Sequence, residues 1–160
     1  MSSLIANHKL QSFWSLYYHS PTDNNWGINS YTNIHSINTI EDFWSLFQKI
    51  SELQLSSGMF FIMRGNIKPV WEDEQNKKGG CWSYKVSKKD AYKGWIELSV
   101  SLIGENITKK SLMINGISIS PKKGFCVIKI WNNNSNLSDK NLLNKNISYL
   151  NIDTTIYKAF

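Results

Sequence analysis

Arginine is all but missing from this chain, and Arg64 is the only one. The formal charge of +6 therefore rests on lysines scattered along the sequence, which excludes an arginine-rich arm. A positive balance still favours polyanionic partners such as RNA, nucleotide phosphates or acidic lipid surfaces. Cysteine is scarce too. Cys81 and Cys126 lack C-x-x-C or similar ligand spacing, which argues against a metal site. A disulfide between them stays open, and reduced thiols in an intracellular protein are the simpler reading. His8, His19 and His35 are the only histidines, spread over the N-terminal third, and read as surface or structural residues. Nucleophile elbow, phosphate-cradling glycine loop and histidine–carboxylate metal motif are all missing. No apolar stretch approaches the roughly 18 residues that span a membrane, and no N-terminal run resembles a signal peptide. The expectation is a soluble, cytosolic or nuclear, non-enzymatic protein without a cofactor.

What the chain has in excess is aromatic surface. It holds 160 residues, enough for one domain with a real core, and seven of them are Trp. A core of this size does not need seven indoles, so some are expected to face a ligand or partner. Residues 1–7 read as a short mobile tail and 8–160 as a single domain.

Leu10 to Tyr18 reads as a strand with Trp14, Leu16 and Tyr18 on one face. A polar loop over 20–27 ends in Trp26, and Tyr31 to Ile37 reads as a second strand. Thr39 can cap a helix, with Glu41 and Asp42 in its first turn. That helix is apolar over about half its circumference. Ile40 and Trp44 sit together at one edge of the apolar arc and are expected to be only partly covered. Gly58 ends the pattern, Met59 to Met63 reads as a central strand, and Trp82 to Val86 as another.

Ser87 to Glu105 reads as a second helix, with Ser87 as N-cap and Asp90 at N3. Ala91, Trp95, Leu98 and Leu102 form its core face. Tyr92, Ile96, Val100 and Ile103 form a second apolar stripe, which is either buried by another element or a docking surface. Leu112 to Ser120 reads as a strand, 121–124 as a hairpin turn and Phe125 to Trp131 as the return strand. Alternation puts Cys126, Ile128 and Ile130 on the core face and Lys129 and Trp131 on the opposite, wetter one. A short helix over 137–146 and a last strand over 147–152 complete about seven strands and two or three helices. Short connections favour an antiparallel α+β sheet over a doubly wound parallel one.

The most unusual stretch is Pro69-Val70-Trp71-Glu72-Asp73-Glu74-Gln75-Asn76-Lys77-Lys78-Gly79-Gly80, a Trp and three carboxylates between two strands. Adjacent carboxylates do not all point inward, and no second acidic cluster completes a two-metal site. A flat aromatic beside a carboxylate suits a planar, cationic, hydrogen-bond-donating ligand. Two indoles can sandwich a base, a carboxylate can accept two N–H bonds from a guanine edge, and lysines can take phosphates.

These residues resemble the eukaryotic translation initiation factor 4E family, the mRNA cap-binding proteins. The resemblance rests on His8-x-Leu10-Gln11-x-x-Trp14, on Thr39 to Phe47, on the Pro69–Gly80 stretch, on Trp95-Ile96-Glu97-Leu98 with Leu102 to Glu105, and on Ile128-Lys129-Ile130-Trp131, in family order. It implies a curved antiparallel sheet of about seven to eight strands, with helices on the convex face and the cap pocket on the concave face. It implies that Trp26 and Trp71 sandwich 7-methylguanine and that Glu72 accepts from N1 and N2. The Trp71 N–H would bond O6, and Trp131 would line the pocket near the methyl group. It implies a scaffold factor or inhibitory protein bearing a Tyr-x-x-x-x-Leu-hydrophobic motif, docked on His8, Ile40, Trp44, Ile96, Glu97 and Val100 of an otherwise monomeric chain. That resemblance assigns the second stripe of the second helix to docking. Departures cluster where the phosphates belong. Cys81 and Val127 stand at usually basic positions and Met59 at an acidic one, leaving Lys122 and Lys129 as the candidate phosphate ligands. The expected contact is weaker or differently routed. The other readings are a cap-binding repressor that does not recruit the scaffold, and a cap hydrolase using Glu72–Glu74 and a metal.

Overall fold

The computed structural model describes residues 7–160. Apart from Asn7, the tail expected over 1–7 lies outside the described residues. Seven strands form one antiparallel sheet. In chain order they are β1 (Lys9–His19), β2 (Thr32–Thr39), β3 (Met59–Arg64), β4 (Gly80–Ser87), β5 (Ile114–Pro121), β6 (Phe125–Asn132) and β7 (Ile156–Ala159). Their spatial order is β2-β1-β3-β5-β6-β4-β7, which leaves β2 and β7 as the edges. Three helices, α1 (Ile40–Lys49), α2 (Glu52–Ser57) and α3 (Ala91–Ile103), lie on the convex face of this curved sheet. No helix among the described residues is long and apolar enough to cross a membrane.

Local chemistry accounts for most boundaries. Thr39 and Asp42 form a reciprocal capping box that starts α1, with 3.0 and 3.1 Å bonds to each other's backbone N–H. The 3.6-residue period of α1 buries Phe43, Leu46 and Phe47 and leaves Ile40 and Trp44 exposed by 41% and 46%. In β6 the alternation holds. Cys126, Ile128 and Ile130 are fully buried under the helices and pack with Trp14, Trp82, Trp95, Leu98 and Leu102 in the main core. A smaller apolar cluster, Tyr17, Phe61, Met63, Cys81 and Trp131, covers the other face. Trp131 is therefore a buried floor residue and not one standing in water. Both cysteines are free and buried.

Four elements differ from expectation. A capping box between Ser51 and Gln54 starts α2, which the periodicity of its short sequence did not reveal. The second long helix begins at Ala91, not after Ser87. Ser87 is held extended by pairing with Phe125 in the β4–β6 ladder, and its hydroxyl donates to Asp90 instead of capping a helix. Its second stripe is also narrower than expected, because Ile103 is buried. No helix forms over 137–146 beyond a single 3-10 turn, Lys140–Leu142. There Asp139 and Asn144 accept backbone N–H groups two residues on, which competes with helical bonding. The last strand is not at 147–152. Ile147 and Leu150 are buried in the main core, Tyr149 has a φ of 68°, and Asn151 caps a 3-10 turn. The strand follows at Ile156–Ala159.

Candidate cap-binding site

The loop between β3 and β4 is a built structure. Asp73 accepts the backbone N–H groups of Lys68 and Gln75, each at 2.9 Å. The fully buried Asn76 donates to the carbonyls of Lys68 and Val70, and Asn115 of β5 donates to Asn76 and to the Gln75 carbonyl. Glu74 pairs with Lys77 at 2.7 Å on the surface. Of the three consecutive carboxylates, two thus have structural or surface partners. Glu72 is exposed and makes no hydrogen bond or ion pair among the described residues, and neither does the Trp71 N–H. No group of three potential metal ligands occurs among the described residues.

The glycine pair that closes the loop is dictated by close approach. A Cβ on Gly79 would lie 1.9 Å from the carbonyl oxygen of Asn132, and one on Gly80 would lie 2.4 Å from that of Lys158. Strands β6 and β7 both press on the start of β4 there, so only glycine fits.

Trp26 arrives from the β1–β2 loop. His19, fully buried, donates its Nε2–H to the Asn25 carbonyl (2.8 Å) and stacks flat on the Trp26 indole at 4.3 Å and 7°. Asn25 also accepts the Gly27 N–H. His19 thereby holds one face of the indole. His19 and the pair Asn76 and Asn115 support the site without a sequence motif that singles them out. Only the place of Asn76 inside the Trp71 stretch pointed to it.

The loops meet over a concave pocket of about 370 Å³. Its mouth holds Trp26, Trp71 and Glu72, and Trp131 and Phe61 form its floor. Trp26 and Trp71 are 52% and 56% exposed, far more than a core indole. Trp131 is held by its Nε1–H, which donates to Ser118 at 3.1 Å. Burial raises the Tyr31 phenol above its ordinary pKa, and the negative charge of Glu72 adds to the rise. Lys129 lines the pocket. Lys122 does not. It lies in the β5–β6 turn just beyond the end of β5, outside the lining.

The residues expected at a partner surface lie on the helix side. His8 is moored to the start of α1, where its backbone N–H and Nδ1 reach the Glu41 carboxylate at 3.0 and 2.6 Å and its carbonyl accepts from Ile40. These bonds from His8 hold the Glu41 carboxyl down at about 2. His8, Ile40 and Trp44 are thus brought together and exposed. On α3, Ile96 is half-buried, whereas Glu97 and Val100 are exposed.

The family model for eukaryotic initiation factor 4E matches residues 9–159 of this chain. The chain is 33% identical over 134 residues to eukaryotic translation initiation factor 4E of Saccharomyces cerevisiae, covering 79% of this chain and 62% of that protein. It is 31% identical over 151 residues to factor 4E-2 of Schizosaccharomyces pombe, covering 90% of this chain and 60% of that one. It therefore spans less than two thirds of these relatives' length. Among solved structures, Ascaris suum eIF4E-3 with m7G cap superposes with a TM-score of 0.74 at 29% identity, over 84% of this chain and 77% of that one. The complex of C. elegans eIF4E-3 with the 4E-binding protein Mextli gives 0.83 at 25% identity, over 96% and 94%. On these grounds the chain belongs to the eukaryotic initiation factor 4E family, whose members are translation factors.

Proposed function

We propose that this chain binds the 7-methylguanosine cap of mRNA in the pocket between Trp26 and Trp71 and recruits a helical partner on its convex side. One observation carries the first half. Two half-exposed indoles and a carboxylate without a partner among the described residues share the mouth of one aromatic pocket. Each stacking contact on a base contributes about 1–3 kcal/mol. Methylation at N7 makes the base cationic, which adds a cation–π component of roughly 0.5–2 kcal/mol. Glu72 accepts the N1 and N2 protons, and the Trp71 N–H, which has no acceptor among the described residues, serves O6. Trp131 shapes the floor. The related Ascaris protein with m7G cap supports this assignment. Retention on immobilised 7-methyl-GTP, with elution by free 7-methyl-GTP and not by GTP, tests it.

The partner half is supported by the exposed Ile40, Trp44 and Val100 and by the Mextli complex of the C. elegans relative. A helix bearing Tyr-x-x-x-x-Leu-hydrophobic would lay its apolar face there. Trp44→Ala is expected to weaken such a peptide by about thirtyfold or more, as for an exposed aromatic anchor. Cap affinity should be unchanged. If cap binding falls in parallel in a two-ligand titration, Trp44 supports the fold and does not anchor a partner.

A further inference from the structure

A second cavity of about 350 Å³ opens beside the base pocket and shares Trp71, Cys81, Lys129 and Phe160 with it. Its remaining lining is Ser83, Lys158 and Ala159, so it lies over the seam between β4 and the edge strand β7. Strand register explains what gathers there. Cys81 stands opposite Lys158 on one side and opposite Trp131 on the other, and Ser83 stands opposite Lys129. Directly opposed residues share a sheet face. Lys158, Cys81 and Trp131 therefore form one row on the concave face, and Ser83, Lys129 and Ser118 form the next.

Two ammonium groups thus face one concavity whose lining contains no Asp or Glu. Neither Lys129 nor Lys158 makes an ion pair or side-chain hydrogen bond among the described residues. Cys81 between them adds no competing anion, because burial pushes its thiol up to about 12 even with Lys129 pulling the other way. Like charges sharing a concavity repel one another, and a bound anion relieves that repulsion. At the hairpin end, Lys122 and Lys123 lie in the β5–β6 turn and line neither cavity. There Val127 stands where a cation could, and the Lys85 ammonium is drawn over the Phe125 ring at 4.8 Å.

We propose that this cavity is the phosphate subsite. Lys158 of β7 acts with Lys129 as a direct phosphate ligand, and the phosphate chain leaves the base pocket across β4 toward the sheet edge, not along the β5–β6 hairpin. The assignment rests on reading the adjoining pocket as a 7-methylguanine site. It makes β7, a four-residue edge strand paired along its whole length with the first half of β4, part of ligand binding.

The experiment is a titration of wild type, K158A, K158R and K122A with 7-methylguanosine and with 7-methyl-GTP over a range of salt. K158A is expected to bind the nucleoside as wild type does and to lose about tenfold in affinity for the triphosphate, the worth of one charge-assisted contact. Its log–log salt slope should shrink by about 0.7. K158R should recover most of the affinity, K122A should change little, and thermal melts of all variants should match wild type. Wild-type triphosphate affinity and salt slope in K158A would overturn the assignment. So would an equal loss of nucleoside and triphosphate, or a K122A loss larger than that of K158A. Wild-type protein that binds neither compound would instead defeat the base-pocket reading, and this assignment with it.

Discussion

Glu72→Ala is expected to lower affinity for 7-methyl-GTP by at least a hundredfold while leaving the melting temperature unchanged. The carboxylate is exposed, lies at the pocket mouth and has no partner among the described residues, so its removal leaves nothing unsatisfied in the free protein. Surface changes of that kind stay within about 0.5 kcal/mol of stability. In the complex the same group would accept two N–H bonds from the guanine edge and sit beside a cationic base. Hydrogen bonds to a charged group contribute about 1.5–3 kcal/mol each, so losing two costs at least about 3 kcal/mol, or more than a hundredfold. Glu72→Gln should be nearly as damaging, since one amide end is a donor facing a donor. Calorimetric titration of both variants checks this, and affinities within threefold of wild type would remove Glu72 from the site.

Arg64→Ala should have the largest effect on stability. Arg64 and Glu105 form a largely buried ion pair between the end of β3 and the turn after α3, with side chains 14% and 7% exposed. The guanidinium also donates to the Ile114 and Ser111 carbonyls and to the Ser12 hydroxyl, at 3.0, 2.9 and 3.0 Å. Its Cζ lies 4.4 Å over the Trp14 ring. Removing one partner of such a pair costs about 3–5 kcal/mol, because the other charge is left buried. For a domain of this size that corresponds to a fall of roughly 10 °C in melting temperature. Arg64→Lys should recover only part of it, since an ammonium cannot form the fork. Replacing both partners, as in R64M with E105L, should recover more than half, because no orphaned charge remains. Thermal melts decide it, and a single-variant shift under about 2 °C would show the pair to be dispensable. The only arginine in the chain is thus a brace of the fold, so any phosphate subsite on the concave face must rely on lysine.

Particular residues show how far the sequence could be read. Thr39 and Asp42 advertise their helix because a capping box is local chemistry, complete within four residues. The face assignment of β6 was legible because alternation is also local, and Cys126, Ile128 and Ile130 are indeed the buried set. The motif around Trp71 pointed to the pocket mouth. Features that depend on distant partners stayed hidden. Ser87 looked like a helix cap, and only its ladder with Phe125 keeps it in a strand. Alternation alone puts Trp131 on the wetter face, but Tyr17, Phe61 and Met63 come from other strands to cover it. Lys158 carried no signal at all, since its place beside Cys81 follows from an edge pairing that residues 147–152 had been expected to supply. Nothing in the sequence neighbourhood of His19 foretells a ring stacked on Trp26.

Selective reading of a methylated guanine is tested most directly by intrinsic Trp fluorescence during titration with 7-methyl-GTP and with GTP. Trp26 and Trp71 are the reporters, both being exposed at the pocket mouth. The expected result is saturable quenching by 7-methyl-GTP, with GTP at least about tenfold weaker because it lacks the cationic base. Equal quenching by the two nucleotides, or none by either, would contradict it.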